Sequence, residues 1–280
     1  MPLPKNFQFS QSSLQDFETC PRRFKLRYLD QLRWPAIESE PVRESERLAQ
    51  LGKDFHRLVH QHLVGLDKTL LTDSLPADEP DLQNWWKSYL AHRPASLGEA
   101  ELYPEAALSV PLRGYRLLAR FDLLARLPDG TFLIVDWKTS RKKPPREVLA
   151  RRIQTRVYSF VLAAAGAVLN QGKPIDPAAV RMLYWYPQFP QEPEEFAYSH
   201  ARHQVDEQFL SELIERVKLS AERDDFPLVV DEKPCTTCIY RSHCDRGVKA
   251  GSDIDAVEES ASVETEVLLP EWDQIAEIQF

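Results

Sequence analysis

Four cysteines, split three and one between the two ends of a 280-residue chain, constrain its fold more than any other feature. Cys235, Cys238 and Cys244 form a C-x2-C-x5-C run, and Cys20 stands alone near the N-terminus. Four cysteines are too sparse for a disulfide scaffold at this length, which points to a reducing, cytoplasmic setting. Closely spaced thiolates in a Pro/Thr-rich loop suit one shared metal centre, and such a centre needs four ligands. Cys20 is the one cysteine left to supply the fourth, the alternative being an ordinary small buried hydrophobe. The flanks Thr19-Cys20-Pro21 and Lys233-Pro234-Cys235 are turn-like, because Pro keeps the local backbone out of a regular helix. Zinc and an iron–sulfur cluster both accept four thiolates, and zinc could recruit His243 in place of Cys20. The paired-CxxC pattern of a zinc ribbon is absent, which favours iron–sulfur.

Between these ends the hydrophobic period changes several times. Residues 10–30 read as two short helices broken at Cys20-Pro21, the first capped by Ser12 or Ser13. A loop follows over 31–41. Leu48, Leu51, Phe55, Leu58, Val59 and Leu63 then recur at helical spacing within 44–64, and a second helix is expected over 81–91. Residues 106–110, 115–127 and 131–136 read as consecutive strands, with Pro128-Asp129-Gly130 as the last turn. A long helix over 146–169, strands over 180–186 and 195–199, and a helix over 205–222 complete the pattern. The order predicts an α/β fold with a central mixed sheet flanked by helices, not a doubly wound parallel sheet. No apolar run approaches the roughly 18 residues of a transmembrane helix, and the N-terminus lacks a secretory pattern, so no membrane partner is expected.

The chemistry concentrates in Ala119-Arg-Phe-Asp122 and Ile134-Val-Asp136-Trp-Lys138. The predicted turn between their strands lets Asp122 and Asp136 converge at one sheet edge. Asp136 and Lys138, two apart on a strand, share a face. Carboxylates bind hard cations such as Mg2+ or Mn2+, and a lysine beside them can hold a water or a phosphate charge. Alone, D-x-K reads as a charged, solvated strand end with an ion pair.

With its surroundings, this stretch resembles the PD-(D/E)XK nuclease superfamily, specifically its RecB-like branch. Gly52-Lys-Asp-Phe-His56 matches an upstream GxxxH element and Gln154-Thr-Arg-Val-Tyr158 a downstream QxxxY element. Cys20-Pro21-Arg-Arg-Phe24 and the cysteine triplet match the iron–sulfur subset, similar to CRISPR-associated exonucleases and AddB-type nuclease domains. The resemblance runs from about Ser10 to Cys244 and implies a restriction-endonuclease-like core over 1–250, its ends joined at a four-cysteine [4Fe-4S] cluster on Cys20, Cys235, Cys238 and Cys244. It implies that His56, Asp122, Asp136 and the Trp137 carbonyl hold Mg2+ or Mn2+, that Lys138 orients water or stabilises the phosphate, and that Gln154 and Tyr158 brace the site. Ala119 stands where the family often has Gly. His56 is not part of an HExxH protease motif, since Arg57 follows it.

The implied activity is exonucleolytic hydrolysis of single-stranded DNA ends in repair, recombination or CRISPR adaptation. The chain has no P-loop, so a helicase motor would come from a partner. The alternative is a non-catalytic DNA-binding or scaffold subunit that keeps fold and cluster, although such a module needs no complete His/Asp/Asp/Lys set. Arg22, Arg23, Lys25 and Arg27 are candidates for a DNA channel, and Trp34, Trp85 and Trp86 for base stacking or core packing. The net charge of −8 argues against a nucleic-acid partner only at first sight. Nine acids and no Lys or Arg fall in 251–280, an expected solvated tail, leaving 34 acidic against 35 basic residues in 1–250.

Overall fold

The computed structural model describes residues 2–33 and 40–247; the expected tail 251–280 and Trp34 lie outside them. The chain begins with strand β1 (Gln8–Ser10) and helix α1 (Gln11–Thr19). Ser10, not Ser12 or Ser13, is the N-cap of α1, and Ser13 Oγ accepts the Ser10 N–H to complete a capping box. Cys20 interrupts the helix in extended conformation, and α2 (Pro21–Phe24) restarts with Pro at its first position, where its missing N–H costs nothing. A π-helical turn, Lys25–Leu29, extends α2. Helix α3 (Glu40–Leu63) starts earlier than the expected residue 44, and α4 (Lys68–Asp73), a short helix capped by Asp67, has no counterpart in the sequence reading. Helix α5 (Pro80–His92) lies where expected.

Seven strands follow: β2 (Glu101–Pro104), β3 (Ala107–Leu112), β4 (Tyr115–Arg120), β5 (Leu123–Arg126), β6 (Phe132–Trp137), β7 (Val180–Trp185) and β8 (Glu194–Ala197). Between β6 and β7 lie α6 (Arg146–Arg151) and α7 (Ile153–Ala165), and α8 (His200–Arg223) follows β8. A five-stranded mixed sheet has the order β2-β5-β6-β7-β8, parallel only between β6 and β7. A second sheet has the order β1-β4-β3. Strand β6 is buried on both faces, which explains its unbroken apolar run Phe132–Val135. Phe132 and Ile134 pack into a core with α7 and α8 on one side. Leu133, Val135 and Trp137 pack on the other against Leu51 and Phe55 of α3 and Trp85 and Trp86 of α5. Among the described residues no helix is long and apolar enough to cross a membrane.

The expected strand 115–127 is two strands in two sheets. β4 pairs with β3 and β1, whereas β5 pairs with β2 and β6. Leu117, Ala119, Phe121, Leu123 and Ala125 are all buried, so the alternation runs straight through the break while the core they face changes. The β2–β3 connection turns at the same corner: the Phe121 N–H donates to the Ala106 carbonyl (2.9 Å) and the Glu105 N–H to the Asp122 carbonyl (3.1 Å). Glu105 sits there at φ 54°, in the left-handed region. That conformation costs a non-glycine residue about 1–2 kcal/mol.

The N-terminal helices and the end of α8 meet. Arg22 Nε donates to the Phe226 carbonyl (2.8 Å), Lys25 pairs with Asp224 (2.6 Å) and Arg216 with Glu18 (2.6 Å). Within the N-terminal segment, the fully buried Asp16 accepts Arg23 and, at 3.1 Å, Arg27. Removing one partner of such a buried network strands the other charges, at a cost of about 3–5 kcal/mol. Asp16→Ala is therefore expected to lower unfolding free energy by about that amount in urea titration; a change under about 1 kcal/mol is the opposite outcome.

Candidate active site

The sheet corner and the end of β6 bring two carboxylates together. Leu123 pairs with Val135 in the antiparallel ladder, so Asp122 and Asp136 are the next residues in register. Asp122 lies just before β5 and is held from behind: its Oδ2 accepts the Trp137 N–H at 2.9 Å. Asp136 has 3% of its side chain exposed and stands 2.8 Å from Lys138 Nζ. Lys138 lies one residue past β6, and its N–H continues the pairing to the Trp185 carbonyl (2.9 Å), which keeps both side chains on one face.

Helix α3 supplies His56, whose Nδ1 is 3.3 Å from Asp122 Oδ1. The helix comes this close because residue 52, one turn earlier, is Gly: a Cβ there would lie 2.9 Å from Thr139 Oγ1. Helix α7 supplies Gln154 and Tyr158. The expected helix 146–169 is broken at Arg152, which has extended ψ of 142°, so Gln154 falls in the first turn of α7. The break has a local cause. In a continuous helix the Leu149 carbonyl would accept from residue 153; instead it accepts the Thr155 hydroxyl at 2.6 Å and the Arg152 N–H at 3.2 Å. Gln154 Nε2 then donates to Asp136 Oδ1 (2.7 Å), and Tyr158 packs against Phe121 with ring centroids 4.9 Å apart. These groups face a cleft of about 470 Å³, whose rim includes Gln11, Lys53, Arg57, Glu105 and Arg120.

Electrostatics differ between the two carboxylates. Burial and the Asp122 charge push Asp136 above the usual carboxylate range against the opposing Lys138. Burial would do the same to Asp122, but His56, Lys138 and the Trp137 N–H outweigh it and hold Asp122 low. Burial likewise opposes the charged form of His56, and Asp122 and Asp136 override it to raise that imidazole.

Among the described residues no three His, Cys, Asp or Glu side chains form a ready-made metal cage. In this arrangement His56 and Asp122 pair with each other and Asp136 pairs with Lys138. The donor chemistry still fits a hard divalent cation. Asp136 Oδ2 is buried and lacks a well-directed hydrogen bond even with Lys138 nearby, so it retains acceptor capacity that a cation would satisfy.

The four cysteines are free thiols. Burial, reinforced by the Cys20 and Cys235 thiols and opposed by Arg23, pushes Cys238 up to about 11. Burial and then Cys20 raise Cys235 and Cys244 as well, so Cys20 is an electrostatic neighbour of all three. The fold thus brings the two ends together, although no four-cysteine cage is assembled.

Arg22, Arg23, Lys25 and Arg27 are not among the residues that line the cleft; they are paired with Phe226, Asp16 and Asp224 as described above. Of the two uses expected for Trp85 and Trp86, core packing is the one the structure shows, since they are 3% and 0% exposed in the α3–α5 core. Glu105, Arg120 and Thr139 were not singled out from the sequence. Arg120 stands two residues before Asp122, a visible clue, whereas the positive φ of Glu105 and the Gly52–Thr139 contact have no local signature.

The family model of the PD-(D/E)XK nuclease superfamily matches residues 8–245. The chain belongs to that superfamily. Its members generally hydrolyse phosphodiester bonds and typically use Mg2+ or Mn2+. The fold is similar to the crystal structure of a candidate exonuclease from Eubacterium rectale, with 12% identity, TM-score 0.50, and 88% of this chain and 91% of that one covered. A crystal structure titled SSO0001 aligns at 13% identity and TM-score 0.42 over 86% of this chain and 87% of that one. No curated protein matches.

In this PD-(D/E)XK chain, the approach of α3 to β6 depends on residue 52. Gly52→Val is expected to displace His56 and lower phosphodiester cleavage by about 10²-fold, the scale of a misplacement near 1 Å. Adding Thr139→Ala to that variant should restore part of the rate. Unchanged cleavage by the single variant in a gel assay would mean that the close approach does not position His56.

Proposed function

We propose that this chain is a Mg2+- or Mn2+-dependent deoxyribonuclease of the RecB-like branch, an exonuclease on single-stranded DNA ends. The convergence of Asp122, Asp136, Lys138 and His56 in one cleft carries this reading. The cation would be held by His56, Asp122, Asp136 and the Trp137 carbonyl, and when bound it supplies charge neutralisation at the phosphate.

The chain's own groups do the rest. Lys138, held at Asp136, presents N–H donors to the attacking water or to the phosphate oxygens as negative charge builds on them. Water adds to phosphorus, the P–O bond to the departing strand breaks, and the water proton ends on the departing oxygen or in solvent. Gln154 fixes the rotamer of Asp136 from one side, and the Trp137 N–H fixes Asp122 from the other. Tyr158 and Phe121 wall the corner against solvent.

The RecB-like assignment extends to a structural [4Fe-4S] cluster on Cys20, Cys235, Cys238 and Cys244, with zinc as the lesser alternative. Four free thiols gathered from both ends of the chain support it. The chain would work in the cytoplasm in DNA repair, recombination or CRISPR adaptation, with any helicase motor supplied by a partner.

Asp136→Ala and Lys138→Ala should each lose cleavage of 5′- and 3′-labelled single strands by about 10²–10³-fold or more, with the fold retained by circular dichroism. Full activity in either variant sinks the assignment, and a wild-type chain that binds but never cleaves returns the scaffold alternative. For the cluster, anaerobically prepared protein is expected to be brown, with stoichiometric iron and sulfide. Cys238→Ser should remove the colour and lower the melting temperature; a colourless wild-type protein with one zinc per chain would falsify the iron–sulfur reading.

A further inference from the structure

The rim of the cleft holds a charged pair that the proposed chemistry does not use. Arg120, the last residue of β4, directs both Nε and Nη2 at Glu105 Oε2, each at 2.8 Å. Both side chains line the cleft; Arg120 stands two residues before Asp122 in sequence, and the Glu105 N–H donates to the Asp122 carbonyl. The side chains are 39% and 28% exposed, and an ion pair that open to water adds little stability. Yet Glu105 occupies a left-handed backbone position that glycine would fill without strain. A strained residue retained for a weak surface pair is poorly explained by folding. It is well explained if its carboxylate aims a guanidinium that must meet something else.

What that guanidinium meets follows from its surroundings. Two of its five N–H donors go to Glu105, leaving others for a second acceptor. The α3 wall adds Lys53 and Arg57 to the same cleft, Arg57 being paired with Asp54 at 2.9 Å, so Arg120 has further cationic side chains beside it along the path a strand would take. Guanidinium groups match phosphate geometry, and contacts to backbone phosphates carry no base information.

We propose that Arg120 binds a nucleic-acid backbone phosphate adjoining the scissile one, and that Glu105 is its positioning residue, fixing the guanidinium at the rim before substrate arrives. This deepens the nuclease reading and rests on it: the substrate is gripped through its backbone at the corner between the two sheets, independent of base sequence.

The test is equilibrium binding of a fluorescent single-stranded oligonucleotide to the full chain in EDTA, across a salt series, so that no cleavage enters. Arg120→Gln is expected to bind about tenfold weaker and to lower the slope of log K against log[salt] by about 0.7, one phosphate contact on a single strand. Arg113→Gln removes the same charge at the β3–β4 turn, away from the cleft, and should leave both unchanged. Glu105→Gln and Glu105→Gly remove equal charge, but only Gln keeps an oxygen for Arg120. The Gly variant should therefore bind several-fold weaker than the Gln variant, with a melting temperature at least as high.

Arg120→Gln matching wild type in affinity and slope overturns the phosphate contact, while the nuclease reading stands if wild type cleaves. Equal affinity of the two Glu105 variants overturns the positioning role. A wild-type chain that neither binds nor cleaves overturns both readings together.

Discussion

Asp136 sits at the end of a strand buried on both faces, with only 3% of its side chain open to solvent. A carboxylate so placed costs several kcal/mol unless charge and hydrogen bonds compensate. Much of the surrounding architecture supplies that compensation. Lys138 returns to the same face because the ladder to β7 continues one residue past the strand. Gln154 reaches Oδ1 because the helix after β6 breaks at Arg152 and restarts with Gln154 in its first turn. Asp122 adds to the cost through its own negative charge, and His56 on α3 offsets that charge. Three layers of the fold therefore converge on one buried oxygen pair, and the cleft is where they leave space.

The sequence reading and the structure agree where local pattern and tertiary pairing point the same way. The long helix bearing His56, the turn at Pro128–Gly130 and the buried strand bearing Asp136 all have signals within a few residues. Two elements that read as continuous are broken in the fold, and they share a cause. Residues 115–127 keep a period of two across Phe121–Asp122 because both sides of the break are buried, each in a different core. Residues 146–169 keep helical spacing across Arg152 because Thr155 closes the first helix through a side-chain bond that periodicity does not register. Both breaks border the site. A strand that changes sheet puts Asp122 at a corner, and a helix that restarts turns Gln154 towards it.

The arginines near Cys20 teach a complementary lesson. A run such as Arg22-Arg23-Phe24-Lys25 reads as a basic surface, but Asp16, one helical segment earlier, is fully buried and absorbs two cations. The acid that neutralises them was visible in the sequence; its burial was not. Apart from Lys138, the Lys and Arg side chains that do face the cleft come from α3 and β4, scattered through the chain, and no charge cluster announces them.

The clasp between the chain ends bears on the order in which the protein can be made. Phe17 and Phe24 pack on Phe226, and Arg22 bonds its carbonyl, across about two hundred residues of sequence. On a ribosome α1 and α2 emerge about two hundred residues ahead of Phe226, so Phe17 and Phe24 lack that contact until the intervening sheets and helices have been synthesised. Contacts of such long range form late and slowly, so this segment is among the last parts of the fold to be fixed. During that interval Phe24 is held by its nearer partners Phe7, Phe17 and Tyr28, and the contact to Phe226 closes the fold over them.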